Sequence, residues 1–183
     1  ASAADRWVVR KASFEELLAV SPRGDRALVR RNGAPLLLRL PGMEKLATLS
    51  IDLQGGFGND LEISPDGRRV LAVQGLKVHL LDAESGKLLT TVEEQFESSG
   101  SGVRSASFEG GGRFLLVDML NQGTVLLDAD TGARVVSLGE RSPLPIVITE
   151  DRRFLIHCLS GDEGLRYEVL DLEDRGKPIK PGG

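Results

Sequence analysis

The amino-acid sequence predicts an all-β fold of about four consecutive four-stranded antiparallel units. Two short phrases recur along the 183 residues with one shared period, and the chain contains 22 glycines. So many glycines without a collagen-like period are typical of a chain with many tight turns between short strands. The shared period of the two phrases is the main reason for this prediction.

The first phrase is a short alternating apolar segment that ends in a Ser-Pro turn. It reads Leu18–Gly24 and Leu61–Gly67, with weaker copies at Ala106–Gly112 and Ile146–Arg152. Proline suits the second position of a tight turn, and glycine supplies the positive φ that closes the turn. Each copy therefore predicts the end of one strand and a turn into the next.

The second phrase is Leu-Asp-x-x-x-Gly followed by an apolar run. It is clear at Leu80–Gly86 and Leu126–Gly132, and looser at Leu38–Gly42 and Val169–Gly176. Both phrases recur every 40 to 46 residues and stay in step with each other. Two phrases with one period indicate a structural repeat more strongly than either phrase alone.

Each period predicts four strands. Between the two phrases lies a continuous apolar run such as Arg69–Val73, which is typical of a strand buried on both faces. A glycine turn and a second run, Val78–Leu81, follow it, and the Asp-x-x-x-Gly turn leads to Lys87–Val92. Four strands in 40 to 45 residues form one blade of a β-propeller.

The repeats resemble those of the WD-repeat and YVTN-type propeller families, and the Ser64–Gly67 turn resembles the blades of TolB-like propellers. The resemblance covers roughly residues 18–176. The chain lacks the Gly-His and Trp-Asp dipeptides of true WD repeats and keeps the Asp-x-x-x-Gly turn after the third strand. The resemblance therefore implies an architecture and a protein-binding scaffold, and it does not imply an activity.

The last repeat predicts how the ring closes. Its fourth strand is poor, because prolines at positions 178 and 181 cannot donate to a ladder. We therefore expect Trp7–Arg10 to pair with the strand around Arg166–Leu170. An open arc completed by a second copy as a homodimer, and a piece of a longer propeller, remain as alternatives. The predicted single domain, 1–183, divides into blades at about 14–52, 57–95, 103–140 and 144–183, with an N-terminal strand at 6–11.

Composition excludes several classes of partner. The net charge of −4 and the 4% aromatic content argue against a nucleic-acid partner. No apolar run approaches the roughly 20 residues of a membrane span, so a soluble protein is predicted. The single cysteine, Cys158, forms no internal disulfide. With no signal peptide recognised, it favours a cytoplasmic location over export.

No catalytic, metal or cofactor site is predicted. His79 and His157 lie in strands of different blades without metal ligands at suitable spacing. His157 and Cys158 are adjacent in a strand and point to opposite faces, which argues against a nucleophile pair. Asp128–Gly132 begins like a calcium loop but lacks the later glutamate. We therefore predict a protein that is not an enzyme.

The long loops are predicted to bind a protein or peptide partner. Loops longer than usual are often functional. We expect the long loops of this chain to lie on the propeller face that also carries the turns between second and third strands. An alternative is an enzyme or small-ligand binder with its site in the axial channel, which would need titratable groups from several blades. The sequence shows no repeated inward-facing histidine, aspartate or tyrosine that would supply them. The predicted contact residues are Phe57, Asn59, Arg104, Asn121 and Arg141.

Overall fold

The computed structural model describes residues 16–51, 61–93, 102–120, 123–139, 146–161, 164–174 and 176–179. In these ranges the regular elements are β-strands and one 3-10 turn at Gly110–Gly112. The predicted N-terminal strand at 6–11 lies outside them. Its pairing with Arg166–Leu170 therefore stays a prediction, as do the domain limits.

The described strands form four sheets of four strands each. The first sheet contains β1 (Glu16–Val20), β2 (Arg26–Arg31), β3 (Ala34–Arg39) and β4 (Glu44–Thr48). The second contains β5 (Leu61–Ile63), β6 (Arg69–Gln74), β7 (Lys77–Asp82) and β8 (Leu88–Glu93). The third contains β9 (Val103–Glu109), β10 (Phe114–Met119), β11 (Gly123–Asp128) and β12 (Arg134–Ser137). The fourth contains β13 (Ile146–Ile148), β14 (Phe154–Gly161), β15 (Gly164–Asp171) and β16 (Lys177–Pro178).

Within every sheet, strands that are consecutive in the chain are antiparallel neighbours. This arrangement confirms the predicted all-β fold of four four-stranded units. The fourth strand of the last sheet is as poor as its prolines predict, since β16 has two residues. It is extended by one hydrogen bond, which the Ile179 N–H donates to the Val169 carbonyl at 2.8 Å.

The Ser-Pro turn is held by the hydrogen bonds of a buried serine hydroxyl. Ser64 is buried, and its Oγ donates to the Asp66 carboxylate at 2.7 Å and accepts from the Arg69 N–H at 2.9 Å. Gly67 closes the turn with φ +75° and donates its N–H to the Ser64 carbonyl. Thr149 repeats both hydroxyl contacts, with Asp151 and Phe154, in the fourth sheet. In the third sheet, the 3-10 turn at Gly110–Gly112 takes the place of the Ser-Pro turn.

The Asp-x-x-x-Gly turn is held by the aspartate at its start. The Asp82 carboxylate accepts hydrogen bonds from the Ser85 hydroxyl at 2.6 Å and the Ser85 N–H at 2.7 Å. The Asp128 carboxylate accepts the equivalent pair from Thr131, both at 2.9 Å. Both phrases of the repeat therefore encode local hydrogen bonds that turn the chain between strands.

Those hydrogen bonds lower the pKa values of six turn aspartates. The Ser21, Ser85 and Thr149 hydroxyls lower the pKa values of their partners Asp25, Asp82 and Asp151. Desolvation is the largest single influence on the other three and would raise their pKa values, but hydrogen bonds and nearby arginines together outweigh it. These three are Asp66, Asp128 and Asp171.

We expect the protein to lose stability on acidification. A carboxylate whose folded-state pKa is lowered stabilises the fold above its unfolded pKa, and this contribution is lost as the pH falls through the folded pKa. Glu62 and Glu109 act in the opposite sense, because desolvation raises their pKa values. Because the lowered pKa values belong to six carboxylates and the raised ones to two, we expect the thermal midpoint to fall between about pH 5 and pH 3.

Circular dichroism melts across this range measure the effect. Asp82→Asn removes one of the six groups, so it should lower the midpoint at pH 7 and make the acid dependence shallower. A midpoint that stays constant or rises on acidification would contradict this account of the turns.

The sheets pack face to face in chain order. The first and second sheets share a buried apolar cluster that includes Leu28 and Leu81. The second and third share one that includes Leu71 and Leu115, and the third and fourth share one that includes Leu126. Neighbouring side chains of a central strand point to opposite faces of its sheet. A strand that is apolar throughout therefore gives its sheet two apolar faces, and each can pack against another sheet.

The four sheets form an arc that does not close among the described residues. No apolar cluster of the described ranges joins the fourth sheet to the first. The first strands β1 and β5 of the first two sheets are in contact, and β6 of the second sheet contacts β9, the first strand of the third. The described residues therefore allow a partial propeller, and closure by Trp7–Arg10 stays a prediction.

Candidate functional site

Two neighbouring turns meet on the face where the second strand of each sheet passes into the third. The β6–β7 turn contains Gly75 and Leu76, and Leu120 follows β10. Gly102, which precedes β9, lies between them. The Val103 N–H donates to the Gly75 carbonyl at 3.2 Å, and the Leu120 N–H donates to the Gly102 carbonyl at 2.8 Å. We call this group, Gly75–Leu76 with Gly102 and Leu120, the inter-blade junction.

The inter-blade junction presents two leucines to solvent. Leu76 is 42% exposed and Leu120 is 37% exposed. A Cβ placed on Gly102 would lie 3.5 Å from Leu120 Cδ1 and 3.8 Å from Leu76 Cδ2. The two side chains therefore reach the same spot from different sheets, and they form an apolar surface on a backbone held by hydrogen bonds.

Arg104 lies two residues beyond Gly102, on β9. Its Nη1 is 3.4 Å from Asp118 Oδ2 on the neighbouring strand β10, and its side chain is 63% exposed. An exposed ion pair of this kind contributes little to stability. The guanidinium is therefore available to a partner carboxylate at small cost to the fold.

The predicted contact residues can be placed only in part. Arg104 is described, and it lies beside the inter-blade junction. The other four, Phe57, Asn59, Asn121 and Arg141, lie outside the described residues. Sequence reasoning missed Leu76 and Leu120. The available signal was a leucine in each segment that joins a second strand to a third, where polar residues are usual.

The titratable groups inside the sheets form contacts between strands and between sheets. Glu62 Oε2 on β5 accepts a hydrogen bond at 2.8 Å from the Phe108 N–H on β9, so this carboxylate links the second sheet to the third. His79 Nδ1 is 2.9 Å from Thr91 Oγ1, and His157 Nε2 is 2.9 Å from Glu168 Oε2. Each of these contacts joins neighbouring strands or sheets.

The described ranges contain no group of three or more His, Cys, Asp or Glu side chains that could hold a metal ion. Within the same ranges, no helix has the length and apolar character needed to cross a membrane.

Solved structures with the same arrangement are β-propellers. The chain superposes on BamB from Moraxella catarrhalis with a TM-score of 0.55 and 16% identity, over 89% of this chain and 51% of that one. It superposes on the Myceliophteria thermophila Cps50 (Swd1) β-propeller domain with a TM-score of 0.56 and 18% identity, over 95% of this chain and 59% of that one. No protein-family model and no curated protein matches the sequence.

These similarities confirm a WD-repeat-like propeller architecture. At such low identity they show the fold alone. The chain spans between half and three fifths of the length of the two structures.

Proposed function

We propose that this chain is a non-catalytic, propeller-type scaffold that binds a protein or peptide through the inter-blade junction. One observation carries the proposal. The exposed Leu76 and Leu120 side chains converge over Gly102 on a surface built from two sheets, and an exposed arginine, Arg104, follows Gly102 by two residues on β9. An apolar centre with an arginine at its edge is the composition that protein interfaces favour.

Rigidity supports this choice of surface. Gly75, Gly102 and Leu120 are linked by backbone hydrogen bonds across the boundary between two sheets. A surface already ordered in the free protein loses little conformational entropy when a partner binds. The predicted loop residues Phe57, Asn59, Asn121 and Arg141 are proposed as further contacts around this centre.

The chemistry of the surface defines the partner. Arg104 offers a guanidinium that suits a carboxylate, and the leucines offer an apolar contact. A peptide segment with an apolar side chain next to Asp or Glu satisfies both. The net charge of −4 disfavours a nucleic acid.

The contacts of the titratable groups support a role without catalysis. Glu62 binds the backbone of the next sheet, and His157 is buried against Glu168. These groups stabilise packing between strands and sheets, which leaves the binding surface as the better candidate for function.

Selection of peptides from a displayed random library tests the proposal. We expect wild-type protein to enrich peptides that combine apolar and acidic residues. Arg104→Glu, and separately Leu76→Asp with Leu120→Asp, should weaken their binding at least about tenfold, which is the loss of about 1.4 kcal/mol expected of an interface anchor. The control is Leu89→Asp, on the edge strand β8, where Leu89 is 55% exposed.

The control variant should bind as the wild type does, and all variants should keep the wild-type thermal midpoint. Peptides that bind the junction variants as tightly as the wild type would reject this surface.

A further inference from the structure

The first sheet has a buried apolar patch on the side that faces away from the second sheet. The register places Val29 opposite Leu36 and Ala27 opposite Leu38 on the central strands β2 and β3. The residues that alternate with them pack towards the second sheet. Val29 and Leu38 are 0% exposed, and Ala27 and Leu36 are also buried. We call Ala27, Val29, Leu36 and Leu38 the outer patch.

The atoms that cover the outer patch lie outside the described ranges. A leucine on a bare sheet face keeps one side in water, so the complete burial of Leu38 requires atoms above it. No residue of the other described sheets belongs to the cluster that contains the outer patch. The structure contains one chain, so the cover belongs to this same chain.

The cover is narrow. Leu17 and Val20 on β1 are paired with residues of the outer patch and share its face, but they are 53% and 48% exposed. Lys45 and Thr48 on β4 share the same face and are also exposed. Burial is therefore confined to β2 and β3, a width of about 10 Å. One extended segment of chain matches this width, whereas another sheet would cover all four strands.

The connections between sheets are poorly placed to form this cover. The segments 52–60, 94–101 and 140–145 each join the fourth strand of one sheet to the first strand of the next. The chain enters the first of these segments from Ile51, which packs against the cluster between the first and second sheets. That segment therefore leads away from the outer patch, and the other two start from sheets further along the arc.

The segment before β1 has both the composition and the reach. It contains three consecutive apolar residues, Trp7, Val8 and Val9, and it leads directly into Glu16 at the start of β1. The chain between Trp7 and Glu16 can span up to about 30 Å when extended. A layer packed on a sheet lies only about 10 Å above it. The segment can therefore turn back over β2 and β3.

We propose that Trp7–Val9 packs on the outer patch and caps the first sheet, independently of the inter-blade junction. The apolar face of a terminal unit in a repeat protein needs such a cap. In an open arc this placement competes with the pairing of Trp7–Arg10 with Arg166–Leu170, because the first and fourth sheets lie at opposite ends. Measurements on Trp7 therefore distinguish the two placements.

Trp7 is the only tryptophan, so its fluorescence reports on this segment in the full chain. We expect emission at shorter wavelength, and weaker quenching by acrylamide, than in the urea-unfolded protein. Nuclear Overhauser effects should link the Trp7 indole with the methyl groups of Leu36 and Leu38. An indole as accessible as in the unfolded chain, or one that contacts Leu165 and Val169 of the fourth sheet instead, would overturn the proposal.

A double-mutant cycle measures the contact itself. Trp7→Ala and Leu36→Ala should each lower the thermal midpoint by at least about 4 °C. The double variant should lose less than the sum, because either substitution alone already removes the shared contact. The matched control is Leu71→Ala, which removes a buried leucine between the second and third sheets, so its loss should add to that of Trp7→Ala. Additive losses at Leu36, or equal coupling at both leucines, would contradict the cap.

Discussion

Gly86→Ala should lower the free energy of unfolding by about 3–5 kcal/mol, through a clash between the first two sheets. Gly86 has φ +73°, and a Cβ there would lie 2.1 Å from the Thr48 carbonyl oxygen and 2.8 Å from its carbon. Backbone atoms cannot move aside as a flexible side chain can. The Ser50 N–H also donates to the Gly86 carbonyl at 2.8 Å, which holds the two segments together.

Gly132→Ala is the matched control for Gly86→Ala. Gly132 has the same place in the turn of the third sheet and a similar φ of +69°, but the nearest atom to an added Cβ is Val92 Cγ2 at 3.4 Å. Only the cost of the positive φ, about 1–2 kcal/mol, is expected there. Denaturant unfolding measures both variants. Equal losses at the two glycines would contradict the close approach of the sheets.

Leu71→Ala should cost about 2–5 kcal/mol by opening a cavity between the second and third sheets. Leu71 is fully buried in the cluster that also contains Leu115. Leu89→Ala makes the same chemical change at an exposed position and should cost less than about 0.5 kcal/mol. Calorimetry or denaturant unfolding of the two variants compares these values, and a small loss at Leu71 would contradict the stacking of these sheets.

The sequence predicted the turns and strands because their causes are local. The hydroxyl of Ser64 and the carboxylate of Asp82 form hydrogen bonds within five residues of themselves, so the residues that make the contacts are also the motif. The continuous apolar run at Arg69–Val73 likewise predicted burial on both faces, and the strand that contains it is buried as predicted.

The binding surface was less predictable because it depends on contacts between repeats. Arg104 could be chosen from its residue type and loop position. Leu76 and Leu120 are in different sheets, and only the packing of those sheets brings them together over Gly102. No local sequence pattern indicates that Leu76 and Leu120 lie close together.

The exposed side of the fourth sheet, which carries Val147 and Tyr167, escaped prediction for the opposite reason. Phe154–Leu159 has the same apolar pattern as Arg69–Gln74, so periodicity predicts burial on both sides. What differs is the absence of a fifth sheet from the described residues. Burial of Ile156 depends on a neighbour that its own sequence cannot specify.

Methyl nuclear Overhauser effects measure the order of sheet packing directly. We expect contacts that link Leu71 with Leu115, and Leu126 with Leu155, and none between the methyl groups of the first and fourth sheets. Missing contacts between successive sheets, or strong contacts between the first and the fourth, would contradict an open arc of four stacked sheets.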